Sequence, residues 1–330
     1  MDVCSNTPHL FELARVASAH RGIYVLWTES GNGANECRGT LSGALLDAPA
    51  VERPATGDWV RIERETGRIR EVLPRKTCLI RKKAGRAFEE QVIAANVDVM
   101  FIVMALDGDF NVRRLERYLV MAEESGATPV VVLNKSDLCD DLIPKLNEID
   151  RVTQAPVIVM SAIDRGSVAQ LARYIEPEQT GALLGSSGVG KSTIVNALLG
   201  DGFQAVASVR ESDSKGRHTT THREMFRLEQ GWVLVDIPGM RELEPWSGTE
   251  SVASAFGDIE ALAAGCQFRD CRHRDEPGCK VVGAVDADRL ASFHKLFDEI
   301  GAQQRKRIAR IGCKGLRQIL KTRPKHWRGD

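Results

Sequence analysis

Residues 185–192 carry the run Gly185-Ser186-Ser187-Gly188-Val189-Gly190-Lys191-Ser192, which fits the phosphate-loop pattern G-x-x-x-x-G-K-[ST]. The run follows an apolar stretch of strand length, Gly181 to Leu184, and precedes an amphipathic helical segment, Thr193 to Leu199. Its glycines let backbone N–H groups turn towards a phosphate, and the N-terminus of the next helix favours an anion there. The run therefore predicts a nucleoside triphosphate site that includes residues 185–192 and Thr193.

Within this site, Lys191 is expected to contact the β- and γ-phosphates, and the Ser192 hydroxyl is expected to coordinate Mg²⁺. A second group for the metal is Asp236, which ends the apolar stretch Trp232 to Val235 and begins the run Asp236-Ile237-Pro238-Gly239. An Asp at the carboxyl end of a strand can hold Mg²⁺ through a water molecule, as a Walker-B Asp does. The N–H of Gly239 is expected to sense the γ-phosphate.

The choice of base is predicted by the run Asn134-Lys135-Ser136-Asp137, which follows the apolar stretch Val130 to Leu133. Asp137 can accept hydrogen bonds from N1–H and the 2-amino group of guanine, donors that adenine does not present at those positions. Ser161 and Ala162 follow another apolar stretch, Pro156 to Met160, and can present an N–H to the guanine O6. Together with the phosphate loop, these residues predict binding of GTP rather than ATP.

These motifs come in an unusual order. In an ordinary Ras-like GTPase the phosphate loop comes first, whereas here the Asn134 and Ser161 motifs precede it. The nucleotide-binding fold is therefore predicted to be circularly permuted, which domains tolerate because their termini usually lie close together. Apolar strands alternate with helical stretches such as Arg113 to Glu124, which predicts a mostly parallel sheet covered by helices. Met225–Leu228 and Trp232–Val235 are expected to form an antiparallel hairpin at its edge.

Residues 20–80 show a different pattern, in which short stretches of alternating apolar and polar residues are separated by Gly, Asn and Pro. The predicted strands are 22–27, 37–41, 58–62 and 68–72. Several short strands at this spacing suggest a small barrel, of which the OB fold is one candidate.

Four metal-ligand residues lie close together near the C-terminus, in the pattern Cys266-x4-Cys271-x-His273-x5-Cys279. Three thiolates and one imidazole are a complete tetrahedral ligand set for zinc, with no position left open for a substrate. The pattern predicts one structural zinc ion.

The chain has 45 Lys and Arg residues against 45 Asp and Glu residues, but the charge is unevenly distributed. Residues 301–330 contain ten basic residues and one acid, and Arg75 to Arg86 contains six basic residues and no acid. Such runs are either solvated surface or binding sites for polyanions such as nucleic acid. No apolar run approaches the roughly 18 residues of a membrane span and no secretory signal is visible, so a cytoplasmic protein without membrane contact is expected.

The permuted order, the zinc pattern, the Asp58-Trp59-Val60 stretch and the run Gly216-Arg217-His218-Thr219-Thr220-Thr221 resemble the RsgA (YjeQ) family. The resemblance covers essentially the whole chain. It implies a multidomain α/β protein with an N-terminal OB-type β-barrel, a circularly permuted P-loop GTPase domain and a C-terminal helical zinc-binding domain. The expected bounds are an N-terminal arm at 1–20, the barrel at 21–84, the GTPase domain at 85–248, and the zinc-binding domain with its basic tail at 249–330.

The resemblance also implies residue roles in hydrolysis. Residues 216–221 correspond to switch I, in which Thr220 is favoured as a Mg²⁺ ligand, although Thr219 or Thr221 could serve. Met240 occupies the position where Ras-like enzymes carry the Gln that orients the attacking water, and a Met side chain is a poor partner for water. His218 is therefore expected to position the water, while Lys191 stabilises phosphate charge.

The function implied is a GTPase that binds the small ribosomal subunit and its rRNA, converts GTP to GDP and phosphate when stimulated by that subunit, and assists late subunit maturation. A monomer is expected. Two alternatives stay open from the sequence: an RNA-binding assembly factor in which hydrolysis is incidental, and a P-loop ATPase or kinase.

Overall fold

The computed structural model describes residues 10–20, 22–29, 34–82, 90–200, 224–237, 249–302 and 305. Its strands are β1 Phe11–His20, β2 Ile23–Glu29, β3 Ala34–Leu41, β4 Trp59–Glu63, β5 Arg68–Val72, β6 Cys78–Lys82, β7 Glu90–Ala95, β8 Val99–Ala105, β9 Thr128–Asn134, β10 Val157–Val159, β11 Thr180–Leu184, β12 Glu224–Arg227 and β13 Val233–Asp236. Its α-helices are α1 Gly43–Asp47, α2 Val112–Ser125, α3 Ile143–Asp150, α4 Arg165–Val168, α5 Lys191–Leu199, Thr249–Ala255, Gly257–Ala263 and residues 287–302. Ser136–Leu138 and Ala169–Tyr174 are 3₁₀ helices.

The first five strands close into a barrel. The antiparallel strands β1, β2 and β3 are followed by β5, which pairs in parallel with β3, and β4 then pairs antiparallel with both β5 and β1. The interior is filled by fully buried side chains, among them Val16, Leu26, Val60 and Ile69. The small barrel predicted from the sequence is confirmed.

The barrel begins earlier in the chain than predicted. Residues 11–20 were expected to belong to an N-terminal arm, but they form β1, and the barrel could not close without this strand. The alternation in β1 is hard to recognise because its inward positions include the small Ala14, while the larger Phe11 and Leu13 are exposed. The bound predicted at residue 84 also falls between β6 and β7, which pair with each other as a separate two-stranded sheet.

The mostly parallel sheet predicted from the sequence has the strand order β10-β9-β8-β11-β13-β12. The first five strands are parallel, and β12 is antiparallel to β13 as predicted, but the hairpin is not at the edge because β12 also pairs with β1. Apolar side chains pack on both faces of this sheet, in two separate clusters. The sheet continues into the barrel where Ser18 of β1 pairs with Glu224 of β12.

A buried arginine joins the barrel to this sheet. The Arg15 guanidinium donates to Thr180 Oγ1 at 2.6 Å and to the Asn96 carbonyl at 3.3 Å, and it stacks on Trp59. Burial lowers the pKa of Arg15 to about 10, and the negative charge of Asp98 opposes that shift. The junction is therefore held by hydrogen bonds from a desolvated cation.

The C-terminal module, residues 249–302 and 305, packs against one face of α2. Val120 of α2 shares an apolar cluster with Val252, Phe256 and Phe293 of the module. Beside this cluster, the buried Glu116 carboxylate accepts from Arg289 at 2.8 Å and from Arg113 at 2.6 Å. Within the described part of the chain, no helix is long and apolar enough to cross a membrane.

Glu116→Ala is expected to destabilise this junction by about 3 kcal/mol or more, because among the described residues it leaves the charge of the buried Arg289 with only Asp258 as an acidic partner. Urea unfolding followed by circular dichroism would measure the change. The matched control is Glu123→Ala on the same helix, where an exposed carboxylate accepts from Ser254 and the cost should stay below about 1 kcal/mol. Equal shifts for the two variants would contradict the importance of the buried pair.

Candidate nucleotide site and metal cluster

The predicted phosphate loop connects β11 to α5, in the strand–loop–helix context that the motif requires. Gly188 and Gly190 have φ angles of 86° and 99°, a region that residues with a Cβ rarely adopt. A Cβ on Gly190 would also lie 2.2 Å from Asn134 Nδ2. Lys191 Nζ donates to the carbonyls of Gly185 and Ser186 at 2.7 Å each, which holds its ammonium group over the loop.

The Asn134 side chain connects its own motif to two others that are distant in sequence, the phosphate loop and the Ser161 motif. It is buried, its Nδ2 donates to the carbonyl of Val189 in the phosphate loop at 2.7 Å, and its Oδ1 accepts from Ala162 N at 2.8 Å. The Asn134, Ser161 and phosphate-loop motifs therefore meet at the carboxyl ends of β9, β10 and β11. This is the usual place for a ligand in a parallel sheet.

Asp137 lies in the exposed 3₁₀ turn after β9, where its carboxylate accepts a hydrogen bond from Ser161 Oγ. The neighbouring Lys135 has a φ of 62°, and its ammonium donates to Asp107 at 2.7 Å. This hydrogen bond is the main reason why the pKa of Asp107 is lowered. The carboxylate expected to read the base is thus accessible and oriented by the Ser161 motif.

Asp236 ends β13, the strand beside β11. Burial raises the pKa of its carboxyl group, the charge of Lys191 opposes the shift, and Glu224 adds to it. The position of this carboxylate at the strand end beside β11 and the phosphate loop, rather than its pKa shift, is what suits Mg²⁺, which prefers oxygen ligands. Ser192, the other predicted ligand, is exposed in the first turn of α5. His218, Thr220 and Gly239 lie outside the described residues.

Two residues that the sequence did not indicate also contact the phosphate loop. Arg114 Nη1 donates to Asp109 at 2.6 Å and to Ser186 Oγ at 3.0 Å, while Ser186 Oγ donates to Asp109 at 2.9 Å. The hydrogen bond from Arg114 is the main cause of the lowered pKa of Asp109. Asp109 precedes α2 and Arg114 lies in its first turn. Neither belongs to a recognisable motif, so only the fold reveals this contact.

The four predicted metal ligands converge, with their ligand atoms all within 4.8 Å of one another. His273 Nδ1 lies 3.6 Å from Cys266 Sγ and 3.5 Å from Cys279 Sγ, and the two sulfur atoms are 4.0 Å apart. Tetrahedral zinc with Zn–S near about 2.3 Å and Zn–N near about 2.0 Å requires separations of about 3.5 Å and 3.8 Å. The Cys266, Cys271, His273 and Cys279 cluster therefore has the composition and spacing to hold a metal ion.

Two thiols of the cluster shift in opposite directions: burial and the neighbouring Cys279 and Cys266 thiols raise the pKa of Cys271 to about 11, whereas the pKa of Cys279 is lowered. Burial acts to raise the pKa of Cys279, but backbone N–H groups, including that of Val282, and the His273 side chain lower it to about 6. The Lys280 N–H points to Cys266 Sγ at 3.4 Å. Hydrogen bonds to sulfur of this kind orient the ligands of a metal site and stabilise their charge.

This fold and this constellation define a P-loop GTPase with circularly permuted motifs. A family model described as RsgA GTPase matches residues 72–246. A relative from Methanosarcina acetivorans, named small ribosomal subunit biogenesis GTPase RsgA, is 44% identical over 92% of this chain and 87% of its own. A relative of the same name from Opitutus terrae is 46% identical over 87% and 83% of the two chains. The chain belongs to the RsgA GTPase family.

Solved structures agree with this assignment. The crystal structure of YjeQ from Thermotoga maritima matches with a TM-score of 0.67 and 26% identity, over 88% of this chain and 99% of the other. The crystal structure of YloQ, described as a circularly permuted GTPase, matches with a TM-score of 0.65 over 91% of this chain and 99% of the other. At 23% identity it supports the fold alone. The predicted resemblance and permutation are confirmed, and the chain is a GTP hydrolase rather than an ATPase or kinase.

Proposed function

We propose that this GTPase acts in the biogenesis of the small ribosomal subunit, as the names of its relatives state for those proteins. The main observation in favour of nucleotide binding is the Asn134 side chain, which forms hydrogen bonds with both the phosphate loop and the Ser161 motif. In the proposed cycle the chain binds the subunit and its rRNA as a cytoplasmic monomer, and the subunit stimulates hydrolysis. Conversion of GTP to GDP then releases the chain. The test is hydrolysis with and without small subunits.

The roles of the individual residues follow from their positions. The loop N–H groups and Lys191 hold the phosphates and stabilise the charge that moves to them during cleavage. Asp137 accepts from the guanine edge, with Ser161 holding its carboxylate in place. Ser192, Asp236 and Thr220 would hold Mg²⁺, which neutralises phosphate charge when bound. Cys266, Cys271, His273 and Cys279 would hold one structural zinc ion.

His218 is proposed to position the attacking water, since Met240 offers no useful hydrogen bond. His218→Ala should lower the rate of GTP hydrolysis by about 10²-fold, a typical contribution of a positioned acid–base group, with GTP affinity nearly unchanged. Single-turnover hydrolysis and nucleotide titration would measure the two quantities separately. His218→Gln should recover part of the rate because an amide can also orient water. An unchanged rate in the alanine variant would exclude this role.

A further inference from the structure

A cavity of about 770 Å³ opens on the C-terminal module beside the metal cluster, away from the nucleotide site. Phe268 and Phe297 line it and are unusually accessible for phenylalanine, with 44% and 41% of their surface exposed. His294 also lines this cavity, whose size lies in the range of about 300–1,000 Å³ common for ligand sites. We call it the aromatic pocket.

The floor of the aromatic pocket is formed by packed aromatic side chains. Phe293 is buried, and its ring centroid lies 5.7 Å from that of Phe297 and 5.8 Å from that of His294. On its inner side Phe293 contacts Phe256 edge to face at 5.5 Å, within the apolar cluster that joins the module to α2. The Phe297 ring is thus supported by a packed core, which lowers the entropy cost of stacking a ligand on it.

The rim of the aromatic pocket carries four arginines against three acids, a formal excess of one positive charge. Arg274 is paired with Asp298 at 2.7 Å, whereas Arg269, Arg272 and Arg305 have no carboxylate within 4.0 Å among the described residues. Glu260 and Asp270 also line the pocket. From Arg305 onwards, however, the sequence enters its most basic segment, which carries ten Lys and Arg residues between 305 and 330.

We propose that the aromatic pocket binds single-stranded RNA and receives an unpaired base on Phe268 and Phe297, with the phosphates facing Arg269, Arg272 and Arg305. Exposed aromatic rings beside arginines are the arrangement that binds unpaired bases. A paired A-form helix keeps its base faces stacked and offers none to a ring. This inference rests on the proposed function, because it assigns the kind of RNA that the C-terminal module contacts.

The test measures binding of the full-length chain to a labelled oligouridine of about 12 nucleotides and to the same RNA without bases. Phe268→Leu with Phe297→Leu keeps apolar volume but removes the rings, and it should weaken binding of oligouridine about tenfold while leaving the abasic RNA unaffected. Arg269→Gln with Arg272→Gln should weaken both RNAs alike. The controls are Val282→Ala, exposed in the same module, and Arg151→Gln, exposed after α3.

Photo-crosslinking with 4-thiouridine RNA locates the contact, so that binding elsewhere on the chain does not hide it. Crosslinks should fall on the peptide with Phe268 or Phe297, and the leucine variant should lose them while keeping its zinc content. Three results would overturn the proposal. These are crosslinks found only elsewhere on the chain, an equal loss of affinity for oligouridine and for abasic RNA in the leucine variant, and no RNA binding by the wild-type chain. Loss of subunit binding with unchanged RNA binding would instead assign the pocket to a protein partner.

The two proposals fail separately. If small subunits do not stimulate the wild-type GTPase, the proposed function fails whatever the pocket variants do. If stimulation occurs and the leucine variant binds RNA as the wild type does, only the aromatic pocket loses its assignment.

Discussion

Asp137→Asn is expected to lower the affinity for GTP by about 10³-fold and to raise the affinity for xanthosine triphosphate. A site that hydrogen-bonds a base edge discriminates strongly, because a mismatched partner leaves polar groups unpaired. Asn replaces an acceptor with an NH₂ donor that opposes the 2-amino group of guanine. Xanthine carries a carbonyl at that position and can accept from the same NH₂.

The structure makes this substitution informative because it should leave folding intact. Asp137 is exposed in its 3₁₀ turn, and Asn keeps an oxygen that can accept from Ser161 Oγ. Asp140→Asn, an exposed acid in the same loop, is the matched control and should bind both nucleotides as the wild type does. Titration with fluorescent analogues measures the affinities. Unchanged GTP binding, or loss of GTP without gain of the xanthine nucleotide, would contradict the role of Asp137.

Cys271→Ser is expected to abolish stoichiometric zinc binding and to unfold the loop that joins the helix Gly257–Ala263 to residues 287–302. Structural zinc binding contributes about 10–16 kcal/mol in small zinc-dependent folds, more than a loop of this size can replace by packing. The loop is mostly exposed, and apart from Val281 it meets the apolar cluster mainly through the metal-ligand residues themselves. Metal analysis should give one zinc per wild-type chain, and limited proteolysis should cleave the variant in this loop.

The matched control is Cys139→Ser, which replaces a thiol that contacts Asp141 and Lys145 near the nucleotide site rather than the cluster. This variant should keep its zinc and its resistance to protease. A wild-type chain without bound metal, or a Cys271→Ser variant that retains it, would contradict the assignment. GTP binding by the Cys271→Ser variant should persist, because no ligand of the cluster lies in the nucleotide site.

Much of the site was predictable because its chemistry needs fixed residue types at fixed spacing. The phosphate loop and the Asn134 run each follow a predicted strand, and the four residues of the Cys/His pattern lie together in space. Helix α2 was predicted within one residue at each end, because its apolar positions recur with helical period. The family resemblance then supplied the barrel, whose strands are too short for the pattern alone to be decisive.

What the sequence did not reveal depends on contacts between distant residues. The interior of β1 includes small residues, and burial of Arg15 has no local signal because its partners are Gly57 before β4, Asn96 after β7 and Thr180 in β11. The same holds for Glu116, whose partner Arg289 is 173 residues away. Such polar pairs are defined by packing between elements, and only the assembled fold shows them.

The most direct test of the central claim is GTP hydrolysis by the purified chain at one moderate salt concentration, alone and with small or large ribosomal subunits. Salt must be fixed because binding to RNA weakens steeply as salt rises. The account predicts a rise of at least about tenfold with small subunits and little change with large ones. Equal rates under all three conditions would contradict it, and subunit binding that ignores GTP and GDP would favour an RNA-binding factor in which hydrolysis is incidental.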